Sequence, residues 1–253
     1  MIIIKSKNEI ECIQEASKIL VKTFEHINDL IHPGMTTREL DKEIERFIKC
    51  LGARPAFKGY KGFPASACIS INEVVIHGIP DKRRIQPGDI VSVDIGVEYK
   101  GCFSDSAYTF GVGEISKESE SLMKSTRLAL FNAILKATPG NRVGDISHTI
   151  QKTAERAGYN VVREFVGHGV GLKLHEDPPI PNFGKKDVGP RLKNGMTLAI
   201  EPMINAGTFE VDVLDDGWTV VTEDRNLSAH YEHTILVTDG EALILTNSSL
   251  YEN

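Results

Sequence analysis

Five side chains in the second two-thirds of this chain stand in settings that call for a cation. Asp94 lies in Val91-Ser92-Val93-Asp94-Ile95, where apolar and polar residues alternate as in a half-buried strand. Phe103 and Asp105 follow a short polar break at Glu98-Tyr99-Lys100-Gly101, so the two runs read as a hairpin. With Tyr99-Lys100 as a two-residue turn, Glu98 faces Gly101 and Asp94 faces Asp105. Opposed residues have Cβ atoms roughly 4.5–5.5 Å apart, and like charges there repel. Two divalent metals, about 3.5–4 Å apart in hydrolytic sites, would fit between such carboxylates. The plainer alternative is a solvated hairpin face carrying two unrelated aspartates.

Three further residues extend the set. His168 sits in Gly167-His168-Gly169-Val170-Gly171, where flanking glycines leave the imidazole open and let the backbone pass close to something. Glu201 ends the apolar run Leu198-Ala199-Ile200, where an unpaired acid would be costly to bury. Glu232 closes Ser228-Ala229-His230-Tyr231-Glu232 ahead of another apolar strand. Singly, these could be a flexible loop, a strand-end acid in water and an arginine partner. Together, four carboxylates and one imidazole make a hard, oxygen-rich donor set. It suits a pair of Mn, Fe, Co or Zn ions better than a thiolate site would, and its four negative charges balance two dications.

Elements must bring these residues together. Ser6-Lys7-Asn8-Glu9 is a capping box, and Ile13, Ala16, Leu20, Phe24, Ile27 and Ile31 follow at helical spacing until His32-Pro33-Gly34. A second helix starts near Thr36-Thr37, buries Leu40, Ile44 and Ile48, and ends at Gly52. Helices over 117–136 and 145–156 repeat this order, closed by Pro139-Gly140 and Gly158. An offset of 106 aligns the two Pro-Gly stops, and one of 107 aligns the strand ending in Asp94 with the strand ending in Glu201. We expect one catalytic domain over 1–253, with similar halves at about 1–112 and 113–253 related by a pseudo-twofold. The remaining stretch, 209–246, reads as strands with turns at Asp215-Asp216-Gly217 and Asp239-Gly240.

Composition narrows the class. With 253 residues, 41% hydrophobic and 25% charged, the chain can build a sizeable core. Its net charge of −6 and basic clusters without aromatics (Lys82-Arg83-Arg84, Lys185-Lys186) argue against nucleic-acid binding. The short apolar start is no signal peptide, and no stretch reaches the ~20 apolar residues of a membrane span. Four cysteines without a Cys-x-x-Cys pair are expected as reduced, mostly buried thiols in a cytoplasmic protein.

The motifs together resemble the type I methionine aminopeptidases. The resemblance rests on 72–80 (Asn72 to Pro80), the Asp94…Asp105 hairpin, Gly167-His168-Gly169-Val170-Gly171 and Ile200-Glu201-Pro202-Met203. It extends through Asp216-Gly217-Trp218-Thr219 to Tyr231-Glu232-His233-Thr234. It implies an α/β (α+β) pita-bread fold: a central antiparallel sheet flanked by helices. Asp94 would chelate one divalent ion (Co, Mn, Fe, Zn or Ni), His168 and Glu201 the other, and Asp105 and Glu232 would bridge them. Glu201 would accept a proton from water, His175 would hydrogen-bond the scissile amide, and His77 would sit beside the substrate and help proton transfer. Phe57, Tyr60, Phe63, Cys68, Leu174 and Trp218 would line the methionine cup. A monovalent cation near Asn72, Val74 and Ser228 is a further family feature. Substrates would be the N-termini of nascent polypeptides with a small second residue, and the enzyme a monomer; contact with the ribosome is left open.

Departures from the family are His230 in place of Gln, Phe57 in place of Cys and Leu174 in place of Phe. Period-two alternation puts His230 on the side of Glu232, reaching either the metals or solvent, and His233 on the opposite, structural side. The start shows no zinc-knuckle extension, and the Glu201–Glu232 gap is too short for the helical insertion of type II enzymes. The competing readings are an Xaa-Pro aminopeptidase or dipeptidase of the same fold, and a catalytically dead peptide-binding relative.

Overall fold

Ser6 and Thr36 each open a helix as their context requires. Each hydroxyl accepts the N–H three residues on, and Glu9 or Glu39 reaches back to the cap N–H. The computed structural model describes residues 1–251. Helices α1 (Lys7–Asn28) and α2 (Thr37–Cys50) come first, and α3 (Lys117–Ile134) and α4 (Val143–Arg156) follow the hairpin. The apolar faces fall as spaced: Ile13, Leu20, Ile27, Leu40, Ile44 and Ile48 are fully buried. Ile31 lies beyond the end of α1 and is only half-buried.

The helices cover a nine-stranded sheet. Its elements include β1 (Cys68–Ile71), β2 (Ile90–Tyr99), β3 (Cys102–Gly111), β4 (Val166–Gly169), β5 (Glu176–Pro181), β6 (Thr197–Ile200) and β7 (Glu232–Leu236). The path runs β2-β3-β7-β6-β4-β5, with β1 along β2, and these pairings are antiparallel. The two largest apolar clusters lie beneath the helices. One joins α1 and α2 to Val91, Val93 and Ile95; the other joins α3 and α4 to Leu198, Ile200 and Ile235. The order helix, helix, acid-bearing strand thus occurs twice.

Two expectations need correction. The hairpin turn is Lys100-Gly101, not Tyr99-Lys100, so Tyr99 pairs with Cys102, Gly96 with Asp105 and Asp94 with Ala107. Asp94 and Asp105 are diagonal neighbours on one face, not direct partners. A two-residue hairpin turn of this kind needs positive φ at both central residues. Lys100 and Gly101 have φ of 51° and 82°, and the Gly101 N–H donates to Glu98 Oε1 at 2.9 Å. The cysteines are not all reduced: Cys12 and Cys102 form a disulfide, while Cys50 is exposed and Cys68 buried. Residues 90 positions apart meet because α1 packs along β3, a contact that no local spacing could announce.

Candidate metal centre

Strand register carries the five residues to one place. Ala107 on β3 pairs with Asp94 on one side and with Glu232 on the other, so the two acids share a row across three strands. Asp105 projects from the same face two residues earlier. On the far side of β7, His233 pairs with Ile200, which brings Glu201 level with Glu232 at the end of β6. His168 pairs with Ala199, two residues from Glu201. Gly167 lets β4 run this close: an added Cβ would lie 2.5 Å from Ala199 O and 3.3 Å from Glu201 Cγ. All five residues line one cavity of about 290 Å³.

The distances are short. Ligand atoms of Asp105, His168 and Glu232 all lie within 4.8 Å of one another. His168 Nε2 is 3.5 Å from Glu201 Oε1 and 3.9 Å from Asp105 Oδ2. Its Nδ1 is 2.9 Å from Gly169 O, which can only accept, so Nδ1 carries the proton and Nε2 offers a lone pair to the acids. Burial lowers the His168 pKa to about 4, which keeps the ring a neutral donor.

The carboxylates are in an unsupported state. Asp94 Oδ1, Asp105 Oδ1 and Glu232 Oε1 are buried without a hydrogen-bond partner among the described residues. Burial pushes the Asp94 pKa up to about 7. Burial first, and then neighbouring carboxylates, push Asp105, Glu201 and Glu232 well above the usual range. Orphaned acceptors in such numbers need an explanation. Among the described residues, the one lysine or arginine that lines the cavity is Lys61. Four acids and a neutral imidazole with a free Nε2 fit a pair of dications, and nothing else in the lining offers comparable compensation.

The walls are aromatic. Tyr60 stacks on His175 with centroids 5.2 Å apart, and His175 in turn lies 4.1 Å from the His168 ring. One side of His175 remains exposed. The protein packed around its other side, with His168, Lys61 and His77 nearby, holds its pKa below the ordinary histidine range. His77, at φ 57°, points edge-on to Phe165 and Trp218, and burial lowers its pKa to about 4. Phe63 meets Trp218 edge-on at 5.2 Å. Cys68 pairs with Asp94 across β1 and β2, its thiol pushed up by burial. Phe57, Tyr60, Phe63, Cys68 and Trp218 all line the cavity. Leu174 is buried behind that lining, packed in one cluster with Phe57, Phe63 and Cys68.

The remaining residues resolve as follows. His230 faces inward: it is 1% exposed, with Nε2 3.7 Å from Glu201 Oε2. His233 faces away, its Nδ1 2.8 Å from Thr246 Oγ1. Asn72 and Ser228 are joined, since the Ser228 N–H donates to Asn72 O at 2.9 Å, while Val74 pairs with Val221. Lys61, Ile76, Glu164, Phe165 and Val166 also line the cavity and were not anticipated. The signal for the last three was their place directly ahead of Gly167-His168-Gly169.

The chain as a whole has known relatives. Residues 11–239 match the profile of metallopeptidase family M24. A methionine aminopeptidase of Clostridium perfringens is 53% identical over 246 residues, covering 97% of this chain and 99% of the relative. The chain belongs to family M24, among its methionine aminopeptidases. Within M24, the crystal structure of methionine aminopeptidase from Thermotoga maritima superposes with a TM-score of 0.96 at 46% identity, over 98% of this chain and all of that one. The prolidase from Pyrococcus furiosus shares the fold at a TM-score of 0.81 and 28% identity, but this chain covers only 66% of its length. The pita-bread fold that the resemblance implies is therefore the fold of this chain.

Proposed function

We propose that this chain removes the initiator methionine from new polypeptides, favouring a small second residue. The carrying observation is the convergence of Asp94, Asp105, His168, Glu201 and Glu232 in one buried cavity with unpaired carboxylate oxygens. On this reading Asp94 would help hold one divalent ion, His168 and Glu201 the other, and Asp105 and Glu232 would contribute to both. Such ions supply two things when bound: a water acidified towards neutral pH, and polarisation of the scissile carbonyl.

The chain's own groups do the rest. Glu201, at the edge of the cavity beside His168, would accept the proton that the water gives up. His175, neutral and stacked on Tyr60 close to His168, donates a hydrogen bond to the scissile group as charge develops there. His77, held beside Trp218, would help pass the proton taken by Glu201 on to the leaving amine. The cup of Phe57, Tyr60, Phe63, Cys68 and Trp218 grips the thioether through contact area and sulfur–aromatic packing, with Leu174 supporting it from behind. A monovalent cation near Asn72, Val74 and Ser228 belongs to the same reading. So do a single catalytic domain built of two halves (about 1–112 and 113–253), a monomer, a cytoplasmic location and nascent chains at the ribosome as substrates. Among the described residues, no helix is long and apolar enough to cross a membrane.

The test is peptide hydrolysis by metal-free protein supplied with Mn, Fe, Co, Zn or Ni. We expect free methionine from Met-Gly or Met-Ala peptides and little cleavage of Ala-Pro peptides. No methionine with any of these ions would contradict the proposal, and preferential Ala-Pro cleavage would move the chain to the prolidase branch.

A further inference from the structure

His175 is placed by a loop rather than by a strand. It stands one residue before β5. Glu176 is what fixes that loop. Its Oε1 accepts the N–H groups of Leu172 and Lys173 at 2.6 and 2.9 Å, and its Oε2 takes Lys5 Nζ at 2.5 Å. Both side chains of this pair are sealed from water, at 1% and 2% exposure, although 171 positions separate them.

Lys5 is anchored in its turn. Its N–H donates to Gly195 O at 2.8 Å. Its stem passes Gly171, where an added Cβ would lie 3.0 Å from Lys5 Cε and 2.6 Å from Ile13 Cδ1. Gly171 O accepts the Phe103 N–H at 2.7 Å, tying the loop to the hairpin that carries Asp105. The N-terminal segment therefore grips the loop from below, while His175 faces the cavity above.

A buried ion pair is a poor way to gain stability, because desolvating both charges costs about as much as their attraction returns. What it does give is a unique geometry, since the lysine ammonium and two N–H groups fix both carboxylate oxygens of Glu176. We propose that Lys5 and Glu176 are positioning residues that hold His175 between Tyr60 and His168 for the reaction. This rests on the role given to His175 above.

The experiment compares wild type with Lys5→Met, Lys5→Arg and the double variant Lys5→Met/Glu176→Gln. The double variant carries no unpaired buried charge and so guards against misfolding of the single one. Two readouts are taken: kcat and KM on a Met-Gly peptide, and the His175 resonances in metal-free protein labelled at histidine. We expect kcat to fall about 10- to 100-fold in Lys5→Met and in the double variant, the scale of a misplacement near 1 Å. KM should change less than kcat, because Phe57, Phe63, Cys68 and Trp218 of the methionine cup lie outside this loop. The His175 signals should shift or broaden while those of His26 and His148 stay in place, and Lys5→Arg should recover most of kcat. A folded double variant with wild-type kcat and unchanged His175 signals would overturn the proposal. Inactive wild type would instead overturn the functional reading, and the resonances would still decide whether the pair positions His175.

Discussion

Asp94 owes its chemistry to its neighbours. In water it would be an ordinary carboxylate; the protein packed around it removes it from water, so it favours a proton unless a cation arrives. Each ligand should therefore be judged by metal affinity as well as by turnover. Asp94→Ala and His168→Ala should weaken divalent-ion binding by more than the roughly 10- to 100-fold cost of losing an outer-shell partner. Calorimetry with Mn reads this, and near-wild-type affinity would remove these residues from the set. His175→Ala should leave ion binding intact and lower kcat about 100- to 1,000-fold, the scale of losing one oxyanion-type donor. The identity of these residues was legible in the sequence, because an acid at the end of an apolar strand or a histidine between glycines stands out. The orientation of His230 was not: alternation gave its side of the strand but not that burial against Glu201 waited there.

At the scale of elements, the helices were legible and the hairpin register was not. Capping boxes and apolar residues at helical spacing act locally, so α1 to α4 could be read within a few residues of their ends. The turn depends on two consecutive residues accepting positive φ, and Lys100 takes that conformation although lysine seldom does. Shifting the turn by one residue moved Asp94 from opposite Asp105 to opposite Ala107 while preserving the face both share. The turn's cost is testable. At Gly101 an added Cβ would meet nothing within 4 Å, so Gly101→Ala carries only the left-handed backbone penalty. We expect about 1–2 kcal/mol of destabilisation in urea unfolding with the m-value unchanged. No loss would mean that the turn is not under conformational constraint. The Cys12–Cys102 disulfide lay beyond reach for another reason: it depends on how α1 lies along the sheet, which is tertiary information.

At the scale of the whole molecule, the site makes stability depend on pH and metal together. Asp94, Asp105, Glu201 and Glu232 have pKa values raised by burial above those of the unfolded chain. Their contribution to stability is present at acid pH and is lost as pH rises through about 7 and beyond. The buried His77, His168, His230 and His233, lowered to about 3–4, act in the opposite sense: their contribution is present above about 6.5 and lost as pH falls. Between pH 6.5 and 8 the histidine contribution is already almost fully in place, so the carboxylates carry most of the change. Chelator-treated protein should therefore melt at a lower temperature at pH 8 than at pH 6.5, and added Mn should raise Tm more at pH 8. An ion-induced shift equal at both pH values, read by calorimetry, would contradict this linkage.

Two dications are expected to neutralise the acids that share this interior. Titration of chelator-treated protein with Mn or Co, followed by calorimetry and by methionine release on the same samples, tests it most directly. Two ions per chain should bind, with turnover rising as they load and both lost in Asp94→Ala. Release of methionine by protein that binds no divalent ion would contradict it.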